Sequence, residues 1–235
     1  MRKNTLLLVA VGVCMAWLTR CIVTQTLTYG FIPVNIFLAA VPIILEVPIR
    51  IVARRIAGVL QKFWLGLLGL LWVLFLPNAF YILTDFMHLN PAVLVNERGD
   101  QYRHLVHYAR GDAMYVFDSL LVFSATAFGA YVGGLALLHA YKYLSKKLVP
   151  QYTRLVFALL LLSSSVGVYI GRFSRWNSWQ GVTHPYQILV ELAQDIANPI
   201  KRERLVIMVI TLLIFELACF IYMLKRYPPK DTDES

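Results

Sequence analysis

Residues 63–84 read FWLGLLGLLWVLFLPNAFYILT, a stretch without one charged side chain. Hydrocarbon is spanned by about 20 consecutive apolar residues in a helix, whereas a buried soluble helix needs only some 10–14. Five further stretches of this kind predict helices over 5–26, 31–50, 113–140, 153–171 and 205–224. The expected fold is all-α: a single integral membrane domain over residues 1–235, six transmembrane helices with short amphipathic helices in the outer loops. Composition agrees, with 59% hydrophobic and 15% charged residues and a mean hydropathy of +0.63. Soluble domains carry about 25% charged residues. Six spans leave no room for a separate soluble domain.

The net charge of +9 would raise nucleic acid as a partner for a soluble chain. Here it reads as the positive-inside bias and contact with anionic headgroups. With the N-terminus placed in the cytoplasm, the inner segments hold 13 of the 22 basic residues. They sit in short loops nearly free of acid, such as Arg50, Arg54, Arg55 and Lys62. Both termini are therefore expected inside. The N-terminal Arg2, Lys3 and apolar run resemble a secretory signal, but no small-x-small cleavage site follows, so 5–26 reads as an uncleaved first helix. Cys14, Cys21 and Cys219 lie in or beside apolar stretches and suggest neither a disulfide framework nor a metal site.

Pro77 should bend the third helix just before Asn78, freeing a carbonyl one turn earlier that the Asn78 amide can help satisfy. Beyond it, Asn78, Tyr81, Asp85 and His88 fall within an arc of about 80° at 100° per residue. A polar stripe on a membrane helix should face protein or a wet cavity. Asp85 and His88 suggest an acid–base couple, with Asn78 and Tyr81 orienting a substrate. A second cluster, Gly171-Arg172-Phe173-Ser174-Arg175-Trp176-Asn177-Ser178-Trp179, follows the fifth helix. If the helix continues, Arg172, Arg175, Trp176 and Trp179 share a face. Arginine forks grip phosphate or carboxylate, so Arg172, Arg175, Trp176 and Asn177 are expected to bind an anionic headgroup or lipid-linked phosphate. The plainer reading of both clusters is an interfacial helix end with its aromatic belt.

Asp118 lies about 8 Å inside the fourth helix. It is either a site acid or one member of an ion pair, with Arg172 or Arg175 the expected partner. Asp112 suits an N-cap. Glu216, near the middle of the sixth helix, either serves function or hydrogen-bonds to Ser163, Ser164 or Ser165. Glu46 has Arg50 four residues on, a local ion pair. His104 and His107 form an H-x-x-H, too few ligands for a metal, and no metal site is expected. No P-loop, G-x-G-x-x-G or G-x-S-x-G appears, so no cofactor or nucleophile is selected. In the outer loops, Tyr102, Leu105, Val106 and Ala109 follow helical spacing, with Arg103, His107 and Arg110 a second stripe. Pro185 can open an amphipathic helix carrying Ile188, Leu189, Leu192 and Ile196.

The runs Leu76–Asp85 and Gly171–Trp179 resemble an uncharacterised bacterial family of multi-pass membrane proteins, domain of unknown function 1361, over roughly residues 5–225. In the family's pattern proline stands at the place of Phe80 and an acid at that of Gln180; the second departure speaks against an essential acid there. The resemblance implies a bacterial inner-membrane protein and brings no activity. The expected function is an extracytoplasmic-face hydrolase or transferase acting on a lipid, lipid-linked or lipoprotein envelope substrate. The alternative is a non-catalytic lipid-binding accessory protein or a small transporter. A transporter would need a polar path reaching Glu216 and Asp118; an enzyme would close its pocket below Asn78.

Overall fold

The computed structural model describes residues 3–25, 27–89 and 112–228. The chain forms α1 (Lys3–Thr24), α2 (Phe31–Arg55), α3 (Gly58–Tyr81), a 3₁₀ segment (Ile82–Leu89), α4 (Asp112–Lys147) and α5 (Pro150–Tyr169). A π turn (Ile170–Ser174) is followed by α6 (Gln180–Thr183), α7 (Pro185–Ala197) and α8 (Pro199–Arg226). Six of these helices are long and apolar enough to cross a membrane, and no strand occurs among the described residues. All six expected spans are present, most of them longer than the sequence reading drew. α2 runs on to Arg55 and α4 to Lys147, because basic residues extend a helix into the headgroup layer and suit its C-terminus. α8 starts at Pro199, six residues early. Its N-terminus is set by proline at the first position and by the Asn198 side chain, which accepts from the backbone of Ile200 and Lys201 at 3.1 and 3.2 Å.

α4 is the hub, packing against α1, α2, α3, α5 and α8. Its inward face carries small residues where backbones cross. A Cβ on Gly133 would come within 2.6 Å of the Phe80 ring, and one on Gly129 would strike the Ala79 carbonyl oxygen. Close backbone approach is how membrane helices gain packing when burial itself drives little. The outer faces, by contrast, present apolar side chains such as Leu7, Val59 and Ile214.

Pro42 and Pro48 sit inside α2 without breaking it. Pro77 is likewise inside α3, and Asn78 Nδ2 donates to the Phe75 carbonyl at 3.1 Å, not to the Val73 carbonyl that loses its partner to Pro77. The expected amphipathic helix at Pro185 is α7, with Leu189 and Ile196 exposed. The expected amphipathic segment carrying Tyr102, Leu105, Val106 and Ala109, and the His104/His107 pair, lie outside the described residues.

Asp118 needs a correction. Its partner is neither Arg172 nor Arg175 but Arg20, near the end of α1, which donates through Nε at 2.5 Å and Nη2 at 3.0 Å. Both side chains are essentially inaccessible. The guanidinium also lies over the Tyr29 ring, 4.9 Å from its centroid. The neighbour of α4 at this level is α1, a matter of packing that no local pattern reveals.

Glu216 is fully buried, and Ser164 donates to its Oε1 at 2.8 Å; Oε2 and the Ser165 hydroxyl make no hydrogen bond among the described residues. An amide oxygen accepts the Ser164 bond as well as a carboxyl oxygen does. Thermal unfolding in detergent should therefore separate two variants. Glu216→Ala should lose about 1–3 kcal/mol, because a buried donor is left unsatisfied. Glu216→Gln should lose much less. Equal losses would show that the group matters only as volume. Glu46 makes the expected ion pair with Arg50 at 3.2 Å and also meets His139 Nδ1 at 2.8 Å.

Candidate functional site

The site lies at the end of the bundle where α1 finishes and α2 begins. There α3 tightens into its 3₁₀ segment and α5 loosens into a π turn. Single π turns inside helices widen the spiral and often occur where side chains are re-aimed. The turn ends at Arg175, whose φ of 59° is left-handed. The helix therefore does not continue, as a shared face for Arg172, Arg175, Trp176 and Trp179 would require. A sharp reversal carries them over the end of α3 instead, and α6 then starts at Gln180.

Arg172 is the centre of the arrangement, its side chain only 11% exposed. Its Nη1 lies 3.5 Å from Asp85 Oδ1 and donates to Tyr81 Oη at 3.3 Å. Its Nη2 donates to the Thr84 carbonyl at 3.0 Å and lies 3.2 Å from His88 Nε2. Arginine has only N–H donors, so His88 Nε2 accepts and the imidazole proton sits on Nδ1. Three residues of the expected stripe, Tyr81, Asp85 and His88, thus gather on one guanidinium from the next cluster. Asp85 is 2% exposed; Asn35 of α2 donates to its Oδ2 at 2.7 Å, while Oδ1 makes no hydrogen bond among the described residues. Phe31 stacks on the His88 ring at 4.5 Å.

Asn78 donates to Ser178 Oγ at 2.8 Å, tying the reversal to α3. Trp176 donates its indole N–H to Glu191 of α7, and Asn177 is held by the Gln180 side chain at 2.7 Å. These contacts turn a loop into a rigid cover.

Between these elements is a cavity of about 610 Å³. Asn78, Tyr81, Asp85, His88, Arg172, Arg175, Trp176 and Asn177 all line it. Asn35 and Ser178 line it too. Ser178 belongs to the cluster read from the sequence, but Asn35 was passed over, although a lone asparagine in the apolar run of α2 is itself a signal. Asp118 does not line it. The cavity reaches down past Asn78 to Val73 and Ser163 but is not lined by Glu216. No cluster of three or more metal-ligating side chains occurs among the described residues.

The fold and this end define a multi-pass membrane-type protein with six helices long enough to span and a polar cavity between α2, α3 and α5. The chain belongs to the family described as Protein of unknown function (DUF1361), whose profile matches residues 34–219. The matched region contains nearly all of the cavity wall, including both sequence runs that carried the resemblance. No curated protein and no solved structure matches the chain.

Proposed function

We propose that the cavity binds the anionic group of a lipid, lipid-linked or lipoprotein substrate at the extracytoplasmic interface, and that the protein is a hydrolase or transferase acting on it. The observation that carries this reading is a buried carboxylate, Asp85, with one oxygen held by Asn35 and the other 3.5 Å from Arg172 but without a hydrogen bond among the described residues, in a cavity large enough for a headgroup. A carboxylate with a spare lone pair can take a proton from an attacking hydroxyl or water. Arg175, with Arg172 behind it, supplies positive charge where an anion would sit. Asn78 and Trp176 shape the wall, and His88 lines it beside Arg172.

One observation favours the non-catalytic alternative: the Arg172 donors are already engaged within the protein. A clamp of this kind also suits a lipid-binding accessory protein. The transporter reading has less support, since Glu216 and Asp118 are sealed and neither borders the cavity, but the closure below Asn78 expected of an enzyme is not met either, because the cavity extends to Val73 and Ser163.

Binding and chemistry separate in two measurements. Native mass spectrometry of the detergent-purified protein should show phosphatidylglycerol retained over phosphatidylcholine. Arg175→Ala should cut that retention about 10–100-fold, the worth of a charge-assisted contact of roughly 1.5–3 kcal/mol. Unchanged retention would remove the headgroup role. After incubation with a polar lipid extract, one lipid species should be consumed by the wild type and persist with Asp85→Asn. A lipid profile identical in both would leave only the binding role.

A further inference from the structure

The lower half of the cavity differs in chemistry from its roof. The polar end of the wall is Arg172, Arg175, Asp85 and Trp176; below Asn78 the wall carries Val73 and Leu74, and Val34 and Leu38 add an apolar flank on α2 on either side of Asn35. This apolar part is only partly enclosed by protein: Gly181 lies against Leu74, while Val73 is 39% exposed. α2 and α5 both pack on α3, and the cavity forms a cleft along α3 between them. Val34 is 55% exposed, although like Val73 it lines the cavity. Leu70, one turn further down the same face of α3, is 48% exposed. An unbroken strip therefore runs from charged roof to the lipid-facing surface of a membrane-spanning helix. A water-soluble anion has no use for such a floor. An amphiphile does: its head meets the guanidinium and amide groups, and its hydrocarbon chain remains in an apolar medium throughout, never crossing water.

We infer that the ligand reaches the cavity sideways from the bilayer through the α2–α5 cleft, and that one of its hydrocarbon chains lies against Val34, Leu38 and Val73. The inference rests on the headgroup reading above and narrows it. The ligand class is a single amphiphile bearing an anionic head and a long acyl or polyprenyl chain. It excludes a soluble phosphate or carboxylate metabolite that descends from the aqueous side.

The test uses two probes, phosphatidylglycerol in nanodiscs and free glycerol 3-phosphate, and two variants. Val34→Trp/Val73→Trp fills the cleft at partly exposed positions; Arg175→Ala weakens the roof. Phosphatidylglycerol should bind at least 100-fold more tightly than glycerol 3-phosphate. The double tryptophan variant, with an unfolding temperature near the wild type, should lose at least tenfold in affinity for the lipid alone. Arg175→Ala should weaken both probes. Glycerol 3-phosphate binding as tightly as the lipid, or a tryptophan variant that still binds the lipid normally, would overturn lateral admission while the Arg175 dependence kept the headgroup role intact. Should Arg175→Ala alter neither probe, the headgroup reading falls and this inference with it. If the double variant fails to fold, Leu38→Asp, which places a charge on the chain path, replaces it with the same expected outcomes.

Discussion

Arg20→Ala should destabilise the protein by about 3–5 kcal/mol, the usual cost of removing one partner from a buried ion pair. Asp118 is 0% exposed and receives two hydrogen bonds from that guanidinium. Without them a carboxylate stays buried about 8 Å inside α4, where isolated charge is heavily penalised. The pair itself need not be strongly stabilising, because desolvation offsets most of its attraction. That distinction makes the prediction testable. Unfolding in detergent should show a large drop in Tm for Arg20→Ala, and most of it should be recovered in Arg20→Met/Asp118→Leu, which removes both charges and keeps the volume. A single variant as stable as wild type would mean that the pair is solvated in the native state. Lipid retention by the double variant should equal that of the wild type, since neither residue borders the cavity.

Arg172→Ala should be as damaging, and in a different way. Four groups lean on this side chain: Asp85, the Tyr81 hydroxyl, the Thr84 carbonyl and His88. Its loss leaves Asp85, 2% exposed, with Asn35 as its remaining hydrogen-bond partner among the described residues. A stability loss of about 3–5 kcal/mol is expected on the same reasoning. Arg172→Lys should recover only part, because an ammonium is a point charge and cannot reach in two directions as the planar fork does. Adding Asp85→Asn to Arg172→Ala should restore much of the stability by removing the stranded charge. It should not restore phosphatidylglycerol retention. If stability and retention return together, Arg172 acts on the ligand only through the fold. If neither variant changes stability or retention, the cluster is incidental.

Much of the bundle was legible from local pattern. Six apolar runs of spanning length announce six helices, since water and hydrocarbon each act on a segment without regard to its neighbours. The stripe Asn78, Tyr81, Asp85 and His88 was legible for a related reason: polar groups on an apolar helix need an inward direction. α7 was signalled by Pro185 and by helical spacing behind it. Where a local rule met a non-local cause, reading failed. The helical face expected for Arg172 and Arg175 assumes that α5 continues. The π turn and the left-handed Arg175 end it, and their anchor is the contact of Ser178 with Asn78, a hundred positions away. Asp118 was recognised as needing a cation, yet the cation was sought among the wrong arginines.

The sequence by itself determined that this chain is a six-helix membrane-type protein, that its polar groups concentrate at the end of α3 and just beyond α5, and that α7 is amphipathic. Hydropathy and periodicity carry that information because they describe each segment against its solvent. Only the tertiary structure decided that Arg20 neutralises Asp118, that Asn35 and Arg172 divide the two oxygens of Asp85, and that a cavity opens along α3 between α2 and α5. Those outcomes depend on which helix lies beside which. Neighbour choice is set by close backbone approaches such as Phe80 on Gly133, and summed shape complementarity has no signature in any one stretch of residues.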